Sequence, residues 1–208
     1  KDFGYTEDHL PLWVADMDFP VIEEIKNTIY KINAVGIYGY TGISDNYFKT
    51  VAEWMYKRHN FKVEKEWQCI TPGVVYALSA AVCAFTKPEE SVIIQTPVYS
   101  PFYRVINNNN RKLVKSALIY DDGNYSVDFN DFENKIVENN VKMFILCNPH
   151  NPVGKVFTKE ELIQVCDLIL ASVNKTLALQ KVSVEVALEA KQFLVEKGWS
   201  IVSGLAIG

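Results

Sequence analysis

Three short stretches of this chain carry residue types that could hold a ligand. In TPGVVYAL (71–78), Gly73 lets the backbone approach a partner closely. The helix expected behind it presents free N–H groups at the positive end of its dipole, a combination that suits a phosphate. The plainer alternative is a Pro-Gly turn before a packed helix. In QTPVYSPFY (95–103), Tyr99 follows a proline turn at the end of an apolar run. An aromatic there can stack on a planar ring or simply pack. In CNPHNPVGKVFTKEEL (147–162), Asn148 and Asn151 offer amide donors on a backbone stiffened by Pro149 and Pro152. Gly154 permits a close turn. Hydrogen bonding to a phenolate or carboxylate oxygen is one reading, a set of Asx-turns the other. His150, between the asparagines, is expected to be solvated or bonded to backbone rather than to act as an acid or base.

Such loops act together only if regular elements bring them together. Between residues 86 and 170 strand and helix patterns alternate. SVIIQ (91–95) is a β-branched run, PFYRVINNNN reads as a helix, and RKLVKSALI (111–119) alternates like a strand. DFNDFENKIVENN (128–140) opens on helix-capping residues and repeats Phe132 and Ile136 at helical spacing. VKMFILC (141–147) is nearly continuous in apolar residues, as a strand covered on both faces would be. TKEELIQVCDLIL opens on Thr158 with Glu161 three positions on, the pattern of a capping box. The order βαβαβα predicts an α/β fold with a mostly parallel sheet flanked by helices. In such sheets ligands gather at the carboxyl ends of the strands. Upstream, PVIEEIKNTIYKI places Ile22, Ile25, Ile29 and Ile32 on one helical stripe, and SDNYFKTVAEWMYKRHN does the same with Phe48, Val51, Ala52 and Met55.

The composition narrows the function classes. The 208 residues are 49% hydrophobic with a formal net charge of -4, so no basic excess argues for nucleic acid. No run reaches the roughly 18 apolar residues of a membrane span, and KDFGYTEDHLPLW lacks the apolar core of a signal peptide. The four cysteines show no C-x-x-C spacing and are expected to be buried free thiols, not disulfides or metal ligands, in a cytoplasmic protein.

LPLWVADMDF (10–19), YGYTG (38–42), TPGVVYAL, QTPVYSPFY and NPHNPVGKVFTKEEL (148–162) stand in an order that resembles the pyridoxal-phosphate-dependent fold-type-I enzymes. Within them the resemblance is to the MalY/PatB-like cystathionine β-lyases, or C–S lyases, relatives of the class I and II aminotransferases. It runs from about residue 5 to about residue 170. WVADMDF and the histidine of NPHNP favour the C–S lyase branch. The resemblance implies that the backbone of Gly73, Val74 and Val75 receives the cofactor phosphate, that Tyr99 stacks on the pyridine ring and that Asn151 bonds the 3-hydroxyl oxygen. It implies that Tyr40 reaches the phosphate in a neighbouring subunit, hence a homodimer with shared sites, and that Ala15 and Asp16 line the substrate's side. The implied activity is α,β-elimination from cystathionine- or cysteine-type amino acids to a thiol, pyruvate and ammonia. The alternatives are transamination and a non-catalytic scaffold.

After about residue 170 the family's order breaks off. Its aspartate partner of the pyridinium nitrogen, its Schiff-base lysine segment and its carboxylate-binding arginine find no counterpart. Lys175, 24 residues after Asn151, is the remaining Schiff-base candidate, with a solvated lysine as the plainer reading. Residues 171–208 are expected to form a helix bearing Val182, Val186, Ala190, Phe193 and Leu194 on one stripe, then a strand in WSIVSGLAIG. Residues 1–170 would then be an N-terminal segment and part of the cofactor-binding large domain. The tail would be a small-domain remnant or a separate module.

Overall fold

The structure, a computed structural model, describes residues 6, 8–10, 16, 17, 19–40, 42–178, 181 and 183–192. The chain divides into two units, residues 1–44 and 45–208. The first unit holds α1 (Glu23–Val35), with Glu23 and Glu24 in its first turn, where acidic side chains complement the helix dipole. It ends at Gly36, whose left-handed φ of 68° suits a residue without Cβ and whose N–H bonds the Asn33 carbonyl. The expected isoleucine stripe is present and exposed along its length.

The second unit opens with α2 (Asp45–His59) and α3 (Val74–Phe85). β1 (Ser91–Thr96), α4 (Pro101–Asn108), β2 (Lys112–Asp121), β3 (Asn124–Val127), α5 (Phe129–Glu138), β4 (Met143–Ile145) and α6 (Lys159–Leu177) follow. The sheet order is β3-β2-β1-β4. β1 lies parallel to β2, Ser91 opposite Lys112, and parallel to β4, Ile94 opposite Ile145. The alternation of β1 divides the core. Val92 and Ile94 pack with Val82 of α3 and Phe102, Val105 and Ile106 of α4. Ile93 packs on the other face with Phe132 and Ile136 of α5 and Val165 of α6. Each side chain so buried contributes about 1.5–3 kcal/mol.

Several sequence expectations change. β3 is an unforeseen strand, antiparallel to β2. Asp122 and Gly123, at φ 39° and 84°, form the tight reversal that Asp-Gly favours. β4 pairs only with β1 among the described residues, yet it is covered on both faces as expected: Met143 and Ile145 pack with the α3 and α4 side, and Phe144 with the α5 and α6 side. All four cysteines are free, yet Cys69, in the irregular segment before α3, and Cys83, on α3, are exposed and not buried as expected. No helix among the described residues is long and apolar enough to cross a membrane.

α6 runs unbroken through residue 170. Beyond it the chain folds back. The Asn174 side chain donates to the Val184 carbonyl at 2.9 Å and accepts from the Val184 N–H at 2.7 Å, and Lys191 pairs with Asp167. Residues 188–192 are helical and include Ala190 of the expected stripe. Val182, Phe193, Leu194 and the expected strand lie outside the described residues.

Candidate functional site: the carboxyl end of β1 and β4

α3 leads through a short connection into β1, so it runs antiparallel to that strand and its start lies at the strand's carboxyl end. That start is open. Gly73 is the N-cap, at φ 144° and ψ 164°, and has no side chain with which to cap. Val74, Val75 and Tyr76 bring no acidic group to the first turn. The first N–H groups of a helix have no intrahelical acceptor, and a Cβ built on Gly73 meets nothing within 4 Å. An anion therefore has both the donors and the room. The chemistry of this donor set fits a phosphate.

The turn after β1 carries Tyr99, half-exposed and edge-on to Phe102 at 6.3 Å between ring centroids. The turn after β4 carries Asn151, which is exposed and whose side-chain amide has no partner among the described residues. The peptide bonds before Pro97, Pro149 and Pro152 are cis. Because β1 and β4 are adjacent and parallel, these turns leave the sheet side by side. The Gly73, Tyr99 and Asn151 segments thus converge on one end of the sheet, as a ligand with phosphate, ring and oxygen requires.

The third turn holds itself by two residues: Asn148, whose structural role sequence reasoning missed, and His150, which is bonded to backbone as expected. Asn148 is not a free ligand donor. It is buried, and its Oδ1 accepts the Phe157 N–H at 3.1 Å. His150 is only 1% exposed. Its N–H donates to the Lys155 carbonyl and its own carbonyl accepts from Gly154, both at 2.7 Å. Gly154 supplies the positive φ of 74° that closes the turn. The Nε2 of His150 reaches the Pro97 carbonyl at 2.8 Å, while Nδ1 is buried without a hydrogen-bond partner among the described residues. Burial holds the His150 pKa below its ordinary value. The carbonyls of Pro97 and Cys147 pull it up less than burial pulls it down, and the Lys155 charge adds to the lowering. The Cys147 thiol, pushed up by burial against the pull of the Asn151 N–H, stays protonated at neutral pH. The two Asn-Pro pairs flanking a histidine were the available signal for this stapled turn.

The remaining expected residues stand elsewhere. Asp16 and Tyr40 are exposed in the first unit, and Ala15 lies outside the described residues. Lys175 is exposed in the last turn of α6, sixteen residues and about 24 Å along the axis from its start. That half of α6 lies against Val141, Lys142 and Met143, at the start of β4 and not at its carboxyl end. Lys175 is not brought to the cluster.

Comparison with known proteins fits this arrangement. The model of the aminotransferase class I and II family matches residues 8–176. The chain belongs to that family. It is 45% identical over 168 residues to cystathionine beta-lyase PatB of Bacillus subtilis, covering 81% of this chain and 43% of PatB. It is 30% identical over 167 residues to protein MalY of Escherichia coli, covering 80% and 43%. Among solved structures, pyridoxal 5'-phosphate-containing cystalysin from Treponema denticola superposes with a TM-score of 0.74 at 40% identity, covering 82% of this chain and 43% of cystalysin. The chain spans less than half the length of these relatives. A second family model, the C-terminal D2-small domain of ClpB protein, matches residues 157–204. The two matches overlap within α6.

Proposed function

We propose that the chain forms the cofactor-holding part of a pyridoxal-phosphate-dependent C–S lyase. The observation that carries this is the 45% identity to a cystathionine beta-lyase across the segment that contains all three converging loops. In this reading the open start of α3 takes the phosphate on the N–H groups of Gly73, Val74 and Val75. Tyr99 covers the ring and Asn151 bonds its hydroxyl oxygen. When bound, the cofactor supplies an electron sink for the carbanion left by loss of the substrate's α-proton. The work of this chain is to bind and orient. The uncapped helix fixes the phosphate, and the stapled turn holds Asn151 at a set height above the sheet. The substrates are cystathionine- or cysteine-type amino acids, released as thiol, pyruvate and ammonia. Ala15 and Asp16 line the substrate's side, and Tyr40 serves a second subunit of a cytoplasmic homodimer.

Transamination is the second reading, supported by the breadth of the matching family. A non-catalytic scaffold is the third. We place the end of the large-domain segment near residue 170. The match of residues 157–204 to a different family favours a separate module over a small-domain remnant for the tail. Titration of the 208-residue chain with pyridoxal phosphate, followed by borohydride reduction and peptide mapping, separates these cases. The expected result is saturable binding, most of which Gly73→Ala abolishes. An absence of saturable binding overturns the cofactor reading. A reduced adduct on Lys175, lost in Lys175→Ala, would assign the covalent role to it, and binding without any adduct leaves a noncovalent scaffold. Thiol release from L-cystathionine against amino transfer to a 2-oxo acid then decides lyase from aminotransferase.

A further inference from the structure

The β1–β4 ladder ends at Ile94 and Ile145. Beyond it the two chains leave the sheet as separate turns, one bearing Tyr99 and the other Asn151. Among the described residues a single hydrogen bond joins the two turns, from the His150 ring to the Pro97 carbonyl, between residues 53 apart in sequence. A carbonyl only accepts, so the proton lies on Nε2. The ring is carried on a fixed main chain, because the His150 backbone is itself bonded to Lys155 and Gly154. It also lies beside Phe157, 6.2 Å between ring centroids. Pro97 stands two residues before Tyr99, and His150 stands next to Asn151. We propose that His150 is a positioning residue whose Nε2–H clamps the Tyr99 turn to the Asn151 turn and sets the gap into which a planar ring fits. This rests on the cofactor reading above for the identity of the ring, but the clamp itself is a property of the two turns.

Two substitutions separate the clamp from simple packing. In His150→Gln the side-chain amide reaches about as far as Nε2 and keeps a donor. His150→Phe fills a similar volume without one. In the 208-residue chain, His150→Gln is expected to bind pyridoxal phosphate within about twofold of the parent, and His150→Phe about tenfold more weakly, the scale of one lost hydrogen bond. Ile136→Val, in the core of the α5 face, controls for a general loss of stability and keeps the parent affinity. Long-range proton–nitrogen spectra are expected to show the ring protonated on Nε2. Where His150→Phe does not fold, His150→Asn, whose amide stops short of Pro97, replaces it. Equal affinities for the Gln and Phe variants, or a ring protonated on Nδ1 alone, overturn the proposal. If the parent chain does not bind pyridoxal phosphate, the cofactor reading falls and hydrogen exchange judges the clamp. Faster exchange at Val98–Ser100 in His150→Phe than in His150→Gln supports it, and equal exchange overturns it.

Discussion

The starts of α3 and α6 are built on opposite plans. α6 closes itself. Thr158 Oγ1 accepts the Glu161 N–H at 3.1 Å, and the Glu161 carboxylate returns the bond from the Thr158 N–H at 2.9 Å. The same carboxylate holds the Lys155 ammonium at 2.8 Å, and both side chains of that pair are largely buried. α3 begins at Gly73 with no cap and no acid. Both helices flank the same sheet, and only one leaves its terminal donors for something brought from outside. α4 also starts without a side-chain cap or an acid, so what sets the α3 start apart is its glycine N-cap with open space beside it, which leaves room for an anion on the free N–H groups.

The sharpest way to break this contrast is to damage each start and read stability and cofactor binding separately. Glu161→Ala removes the return half of the capping box and leaves a largely buried ammonium without its partner. The expected cost is about 2–3 kcal/mol, the range for a lost hydrogen bond to a charged group, with affinity for pyridoxal phosphate unchanged in the folded protein. Urea melts paired with cofactor titration check both halves. Gly73→Ala is expected to cost less stability, about 1–2 kcal/mol, because only the backbone angle is unsuitable and the space beside it is open. It is expected to abolish most binding. If Glu161→Ala were the variant that lost the cofactor, the division of labour between the two helix starts would be wrong.

These two starts were also unequally legible in the sequence. The Thr158–Glu161 box is local, four residues long, and it forms as read. Gly73 was legible as a glycine before a helix, but whether a side chain from elsewhere caps that helix is a tertiary fact. The parallel pairing of β1 with β2 and β4 followed from alternating patterns. β3 was missed because the alternation of 111–119 runs on through residue 121, which hid the Asp-Gly reversal that turns the chain back. Convergence of the Tyr99 and Asn151 turns needed the neighbouring placement of β1 and β4. The burial of His150 needed the same placement, since its partner is on the other strand's turn.

Thr158→Ala makes a smaller cut in the same contrast. It removes one capping acceptor and leaves the Glu161–Lys155 pair in place, so a loss of about 1 kcal/mol is expected. Binding of pyridoxal phosphate should not change. A loss as large as that of Glu161→Ala, seen as an equal shift in urea midpoint, would mean that the box acts as one unit and that the ion pair adds nothing of its own.

The smallest effect at neutral pH belongs to His150 and emerges only on acidification. Its folded pKa lies below the ordinary value of 6.5, chiefly because of burial. Below pH 6.5 the unfolded chain takes up a proton that the folded chain refuses. The unfolded state then binds more protons, so stability falls as pH falls from about 6.5 down to the folded pKa and levels off beneath it. Asp131 works in a lower window. Its burial pushes the pKa up, but the hydrogen bonds from Lys135 and Ser116 and the Lys135 charge together hold it below 3.8. Its contribution is therefore full above 3.8 and lost as pH drops through the folded value. Stability measured by urea melts from pH 7.5 to 3 should show two separate declines, and His150→Gln should erase only the upper one. An upper decline that survives in His150→Gln would place the titrating group elsewhere and leave the ring's burial without an energetic consequence for the Asn151 turn.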